Sequence, residues 1–439
     1  MDTLTDYTQR LTAFFQLRRF GKERSLAPLR QLLAELGHPE RGLLFIHIVG
    51  TNGKGSTASM LASILEEAGL RVGLFTSPHL VHFEERFRVQ GQPLGWRLVN
   101  QQLQRVLQAQ AKQDEPGLFF DMTTALGVCL FAHENVDVVV LEAGIGGELD
   151  ATAVLPSSLV ILTNVGRDHI SVLGGSPASV TAAKAGAAQS GVPFVSGPLS
   201  RELQPLARKV ALSKDASFVW EAGNEWRSDV ETGATQTFFT LKTPKHRWET
   251  LPVMTPGPFQ RQNAAMAAVA ASALLAAGWS LTEENVREGL TKARWFGRWQ
   301  QGYWNDRPIL VDGAHNVSAL SLLLEELEEK RPHLVFSCMQ GKESPLMIEA
   351  MQGKIASLTL FALPQERVEP VTRLAALAEQ LLPELPRLNA DSLQEAMDRV
   401  VNSVSAEEMV VLCGSLFVWE ALLQQNEFRL VESLTFERR

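Results

Sequence analysis

Residues 43–69, LLFIHIVGTNGKGSTASMLASILEEAG, decide the fold class. An unbroken apolar run, LLFIHIV, passes through three closely spaced glycines into a stretch with helical periodicity. A run this apolar, too short for a buried helix, reads as a strand covered on both faces. The glycines allow backbone N–H groups to crowd around an anion, and the first turn of the following helix adds positive potential. Lys54 would reach terminal phosphates and the Ser56 hydroxyl could hold magnesium. The strict pattern G-x-x-x-x-G-K-[ST] is not met, because Ile48 stands where its first Gly belongs and Gly55 follows the lysine. A ligand-free Gly-rich turn is the bland alternative. The strand on one side and the helix on the other favour a nucleotide phosphate.

The same alternation extends outward. RVGLFTS (71–77), VDVVVLEAG (136–144) and SLVILTNVG (158–166) read as further strands separated by amphipathic helices, which predicts a parallel sheet covered on both faces. Residues 238–251 suggest an antiparallel hairpin, and 261–278 and 282–293 two helices. The pattern then restarts: RPILVDG, HLVFSCM, LTLFALP and EMVVLCG read as strands, with a helix expected over 317–330. The stretch ARWFGRWQQGYWNDR (293–307) breaks the periodicity and is the candidate linker. The expected architecture is α/β, with a phosphate-loop ATPase-like domain of mostly parallel sheet over 1–295. A smaller Rossmann-like α/β domain is expected over 296–439.

Composition sets the outer limits. At 439 residues the chain is too long for one ordinary core, and 45% hydrophobic with 21% charged residues is the balance of a globular protein. A formal charge of -8 argues against nucleic acid or an anionic membrane as partner, while leaving room for a locally basic cleft. The opening MDTLTDYTQR lacks the basic end and apolar run of a signal peptide. The Ala-rich run at 264–277 is shorter than the ~20 residues a bilayer requires, so a packed helix is expected there. Cys129, Cys338 and Cys413 are widely separated, which fits neither a disulfide frame nor a zinc knuckle. A cytoplasmic location is expected.

Two acidic clusters carry chemistry. Glu142 ends an apolar strand, where open α/β sheets present ligand groups, and a carboxylate beside a phosphate loop suits magnesium. Asp168 and His169 end the next strand at an equivalent edge. Taken singly, Glu142 equally suits a solvated strand end, His169 a structural histidine and Lys184 an exposed helix lysine.

Together, GTNGKGS, TSPHL (76–80), LEAGIGGELDAT, TNVGRDH, the KAG at 184–186 and DGAHN (312–316) resemble, in order, the folylpolyglutamate synthase/dihydrofolate synthase family, relatives of the Mur ligases. The resemblance runs from before residue 40 to CGSLFVWE near residue 420. It implies an ATP-dependent ligase that couples glutamate to a pterin or folate acid, with ATP and substrates meeting between two domains.

On the resemblance, Gly50, Thr51, Asn52, Gly53, Lys54, Gly55 and Ser56 cradle the nucleotide, and Asn263, Arg298 and Asp312 contact it. Ser56, Glu142, His169 and Lys184 are implied magnesium ligands. Two ions are expected, with Lys184 as the residue that is carbamylated in the family. Lys54, His169, Lys184, Asp312 and His315 are the implied catalytic set. Ser77, Pro78, His79, Phe120, Asp121, Thr123 and His315 are the implied substrate contacts, with Asp121 in place of the family's usual Glu. Small-molecule substrates only, and a monomer, are expected.

Departures from the family pattern cluster near the metal and acyl site. GGRLDATN reads GGELDATA, with Glu148 for arginine and Ala153 for asparagine, and Arg167 replaces an apolar residue before Asp168. Ile170 and Ala187 are further changes, and D-K-D reads Gly341-Lys342-Glu343. One expectation is that Arg167 pairs with Glu148 and makes up for the lost charge; the other is independent drift at two surface positions. Rival functions are a Mur-type amino-acid ligase on another carboxylate, a non-catalytic ATP-binding homologue and a P-loop kinase. Mur-type ligases carry a preceding domain that places the loop further along the chain than Lys54.

Replacing Lys54 with alanine is expected to abolish turnover through loss of phosphate stabilisation. Undiminished activity of that variant would remove the loop from the mechanism.

Overall fold

The computed structural model describes residues 2–18, 25–113, 115, 117–170, 172–232, 237–254, 257 and 259–431. The apolar runs pair into an eight-stranded sheet. Its strands are β1 (Leu44–Val49), β2 (Val72–Phe75), β3 (Phe87–Val89), β4 (Gln92–Pro93), β5 (Val138–Glu142), β6 (Ser157–Leu162), β7 (Phe194–Ser196) and β8 (Val219–Glu221). Their order is β4-β3-β2-β5-β1-β6-β7-β8, and β1 lies between β5 and β6 with parallel pairing on both sides.

Period-two alternation sorts the strand residues between two cores. Ile46, Ile48, Val138, Val140, Leu159 and Ile161 face helices Lys54–Glu67 and Gln260–Ala276. Phe45, Val139 and Leu141 face the opposite layer, formed by helices Leu4–Phe15, Ala27–Glu35, Trp96–Gln110 and Phe119–His133. Helix Gln260–Ala276 is buried at every position from Asn263 to Leu274, as a helix apolar all round must be. Among the described residues, no helix is long and apolar enough to cross a membrane.

A second, antiparallel sheet of β9 (Arg227–Thr232), β10 (Thr237–Lys242) and β11 (Arg247–Val253) seats Phe239, Leu241, Trp248 and Leu251 against the first core. The expected hairpin is present as β10 and β11. The third strand escaped the sequence reading because its polar letters, RSDVET, carry no apolar alternation.

The third sheet comprises β12 (Gln300–Trp304), β13 (Arg307–Val311), β14 (His333–Phe336), β15 (Ser357–Phe361), β16 (Arg387–Ala390), β17 (Val410–Cys413) and β18 (Phe428–Leu430). Their order is β16-β15-β14-β17-β13-β12-β18, parallel from β16 to β13 and antiparallel at β12 and β18. Part of the stretch read as linker is therefore strand. Trp304 pairs with Arg307 across a two-residue turn in which Asn305 (φ 44°) and Asp306 (φ 63°) are both left-handed. A tight hairpin requires that geometry, and Asn and Asp tolerate it best after glycine. The helix expected over 317–330 is α-helical at Val317–Glu326 and tightens to a 3-10 turn at Glu328–Lys330. Cys129, Cys338 and Cys413 are buried free thiols.

Helix Glu283–Lys292 crosses helix Lys54–Glu67 at Gly289, where an added Cβ would lie 2.4 Å from Ile64 Cα. A Gly289→Ala variant gains about 1 kcal/mol of helix propensity. It should still be destabilised by about 1–3 kcal/mol, because backbone cannot yield as a side chain does. Chemical denaturation measures the difference; a more stable variant would contradict this crossing.

Candidate active site

Parallel register places the site at the carboxyl ends of the central strands. Ile48 pairs with Glu142 and Val49 with Leu162, so Gly50, the Glu142 carboxylate and the turn after β6 emerge side by side. Phe75 pairs with Leu141, which brings Thr76 and Ser77 to the same edge. This is where open α/β sheets collect ligand groups.

The phosphate loop is held from beneath by the turn after β6. Thr51 N–H donates to the Asn164 carbonyl at 3.1 Å, and Asn52 N–H to Asn164 Oδ1 at 2.9 Å. Thr163 and Asn164 return bonds to the Asn52 carbonyl at 2.7 and 3.1 Å. Gly53 is left-handed (φ 78°) and ends the loop at the N-terminus of helix Lys54–Glu67. The Asn263 carboxamide packs on Gly53, where any Cβ would collide with its oxygen, and donates to Gln260 at 2.8 Å. Gly55 has an equally concrete reason. A Cβ there would lie 2.9 Å from the Trp295 ring and 3.2 Å from Glu142 Oε2. The departure from the strict motif thus admits an aromatic ring and a carboxylate against the loop. Ser56 is buried in the first turn.

Lys54 Nζ donates to the Thr51 carbonyl at 3.2 Å and stands 3.8 Å from Glu142 Oε1. Glu142 Oε2 accepts the Ser77 N–H at 3.0 Å. Burial pushes the Glu142 carboxyl upward, against the opposing pull of Lys54, that N–H and Arg298. Lys184 is buried and donates to the Gly50 carbonyl at 2.6 Å. Burial, then the nearby charge of Lys54, lowers its ammonium to about 7.

The second domain presents its own carboxyl edge. Asp312, following β13, accepts N–H bonds from Trp299 (2.7 Å) and Ala314 (2.8 Å), and its carboxyl is raised by burial while Arg298 opposes the shift. The Arg298 guanidinium lies over Gly313, where a Cβ has no room. His315 Nδ1 is 2.8 Å from the Gly313 carbonyl, so its proton sits on Nδ1 and Nε2 faces Asp168 at 3.9 Å. Burial and then Lys342 hold His315 at about 3, and burial is also the first cause that brings His169 to about 4. Both imidazoles are neutral near pH 7. His169 is left-handed (φ 55°) and lies 3.8 Å from Asp168 Oδ1.

The residues expected to contact the acid substrate follow β2 or lie on helix Phe119–His133. The Ser77–Pro78 peptide is cis. Arg86 Nε donates to His79 Nδ1 at 2.8 Å, and burial, then Arg86, keeps His79 neutral. Asp121 is raised to about 6 by burial, with the Asp150 charge adding to the shift. The Phe120 ring covers Gly144. Thr123 is fully buried and donates to the Phe119 carbonyl of its own helix at 2.7 Å. Ser77, Pro78, Gly55, Glu142, Trp295 and Arg298 line one cavity between the domains.

Sequence reasoning did not single out Lys342, Asn316 or Asn164 as site residues. Lys342 Nζ binds both Asp168 oxygens, at 2.8 and 3.0 Å, and Asn316 bonds Asn52 at 2.8 Å. Asn164 lies in TNVGRDH, Asn316 in DGAHN and Lys342 in the Gly341-Lys342-Glu343 departure, but contact between the domains is not written in any of these blocks. The expected pair of Arg167 with Glu148 is not formed. Arg167 pairs with Glu343 at 2.7 Å, and Glu148 with Lys214 at 2.6 Å. Glu148 sits behind the Lys184 helix, its N–H donating to the Ala183 carbonyl, whereas Arg167 faces the other domain. Among the described residues, no three His, Cys, Asp or Glu side chains form a ready metal cage.

Residues 48–271 match the Mur ligase middle domain, and residues 297–416 match the domain described as Mur ligase, glutamate ligase domain. The chain is 31% identical over 421 residues to a Bacillus subtilis dihydrofolate synthase/folylpolyglutamate synthase, covering 91% of this chain and 94% of the relative. It superposes on Escherichia coli FolC in complex with DHPP and ADP at a TM-score of 0.84 with 27% identity, covering 95% of this chain and 97% of the other. A Yersinia pestis bifunctional folylpolyglutamate synthase/dihydrofolate synthase complexed with AMPPNP and Mn ion gives 0.82 with 25% identity, over 94% and 96% of the chains. Likeness of this length, running through both domains, means that the chain belongs to the folylpolyglutamate synthase/dihydrofolate synthase family of Mur ligases.

Proposed function

We propose that the protein adds L-glutamate to dihydropteroate, to a (poly)glutamylated tetrahydrofolate or to both, through an ATP-derived acyl phosphate. The observation that carries this reading is the meeting of Lys54 and Glu142, 3.8 Å apart, beside a cavity that Arg298 and Leu416 of the other domain also line. A carboxylate is a poor acyl donor because its leaving group would be oxide. Phosphorylation by ATP makes phosphate the leaving group, and the glutamate amine then displaces it to give an amide, ADP and phosphate.

The residues act mainly by position. Lys54, tethered to the Thr51 carbonyl, holds positive charge where the terminal phosphates would lie. Neutral His315 can accept a hydrogen bond from a substrate amine through Nε2 without adding charge. Arg298 and Asp312, locked against the Gly313 turn, offer a cation and an acceptor toward the nucleotide. Trp295 and the second domain exclude water, which protects an acyl phosphate from hydrolysis.

The donor set fits a divalent cation. Glu142 is a buried anion whose nearest cation is 3.8 Å away, and with the Ser56 hydroxyl it offers hard oxygens. Magnesium bound there would neutralise charge on the transferring phosphoryl group. Lys184, whose ammonium burial lowers to about 7, is suited to take up carbon dioxide; its carbamate, with His169, would then hold a second ion. We assign residues 1–295 to the ATP-binding unit and 296–439 to the glutamate-ligase unit of a cytoplasmic monomer.

Incubation with Mg-ATP, glutamate and either dihydropteroate or a tetrahydrofolate, followed by mass analysis, should yield a product heavier by one glutamate residue together with ADP. No product with either acceptor, alongside activity on a cell-wall precursor, would reassign the acid substrate. ADP release that does not depend on glutamate would favour a protein without ligase chemistry.

Burial of Lys184 gives a second test. Its folded value, about 7, lies below the ordinary 10.5, so between these limits the unfolded chain binds the extra proton. Its contribution to stability is therefore present above pH 10.5 and lost as pH falls toward 7. Compared with Lys184→Met in carbonate-free buffer, wild type should gain stability from pH 7 to pH 10, by up to about 1.4 kcal/mol per unit. A pH-independent difference in urea midpoint would show that the amine is not held neutral.

A further inference from the structure

We propose that Arg167–Asp168 on the first domain and Lys342–Glu343 on the second form an electrostatic clasp. It positions the Asp312–His315 turn over the phosphate loop; the inference rests on the ligase reading above. The charges run plus-minus on each side and meet crosswise. Arg167 engages Glu343 with two nitrogens, at 2.7 and 3.2 Å, and Lys342 engages both oxygens of Asp168, at 2.8 and 3.0 Å. A slip of one residue would set like charges face to face, Arg167 against Lys342 in one direction or Asp168 against Glu343 in the other. The arrangement therefore selects one register by repulsion as well as attraction.

The two pairs do different work. The inner one is nearly dry, with Asp168 9% and Lys342 15% exposed, so its charges are weakly screened. The outer pair is open to solvent, at 52% and 34%, and an exposed pair by itself contributes little to stability. Its two-pronged geometry instead fixes direction and covers the inner pair. Left-handed Gly341 (φ 84°) makes the turn that presents both residues.

The clasp is continuous with the site. Asn316 Nδ2 donates to Asp168 at 3.3 Å and to Asn52 Oδ1 at 2.8 Å, which ties the clasp to the phosphate loop and to the residue after His315. Arg167 and Glu343 make no contact with Lys54 or Glu142, so they are positioning residues. Both differ from the family pattern, where an apolar residue and an Asp stand. Position 343 keeps an acid, so it is Arg167 that supplies the second charge of the outer pair.

The test uses the full chain with Arg167→Glu, Glu343→Arg and the double reversal. Amide formed per ADP released is measured alongside kcat and KM for glutamate. Each single reversal sets like charges face to face and should lower kcat/KM about tenfold at low salt. Amide yield per ADP should also fall, because a loosened cleft admits water. The double reversal should recover both, and ~0.5 M salt should narrow the gap between wild type and the single variants. Single variants as tightly coupled as wild type, or a double variant no better than the singles, would overturn the clasp. If wild type forms no amide with any acceptor, it is the ligase reading that fails. The clasp is then judged by X-ray scattering in solution, where the singles must be more expanded than wild type and the double must not be.

Discussion

The parallel pairing of β1 with β5 on one side and β6 on the other is the constraint on which everything else rests. Parallel neighbours end at one edge, so three chain segments far apart in sequence deliver a lysine loop, a carboxylate and an asparagine-bearing turn to one place. Each strand is apolar on both faces because helices cover both, and that pressure holds the register. A one-residue slip of β5 would move Glu142 away from Ile48 and exchange its core faces, so packing and chemistry are protected by the same alternation.

A second constraint acts between the domains. The carboxyl edge of the third sheet faces that of the first, and the contact is polar: Asn52 with Asn316, Asp168 with Lys342, Arg167 with Glu343. Polar interfaces of this kind suit domains that must separate to admit substrates and meet again in one orientation. The ionisable groups near the loop are also unequal. Buried Glu142 is a raised carboxylate, buried Lys184 a lowered amine, and His169 and His315 are neutral bases. Displacements of this kind accompany sites that exchange phosphates and cations.

Much of this was legible in the letters because it is local. The strand–glycine–helix transition at 43–69, the apolar strand ending at Glu142 and the alanine-rich buried helix each follow from neighbours in sequence. What was not legible depends on distant partners. Arg167 and Glu148 were plausible mates as nearby charge changes, yet each found a closer opposite charge, Glu343 and Lys214, once the chain was folded. Polar edge strand β9 has no apolar signal to read. The hairpin at Asn305 and Asp306 was hidden among aromatic and polar residues, although its two turn residues are among those that accept left-handed backbone.

Gly55 carries a consequence for how such a loop can change over time. The motif from which it departs has a hydroxyl residue directly after the lysine, one substitution away in sequence terms. Here that step is closed, because the Trp295 ring already stands 2.9 Å from where the new carbon would go. The aromatic residue between the domains would have to move first, and it lines the cleft beside Glu142 and Arg298. The loop and the interdomain aromatic are thus sterically coupled: a side chain at position 55 can be admitted only together with a change at Trp295.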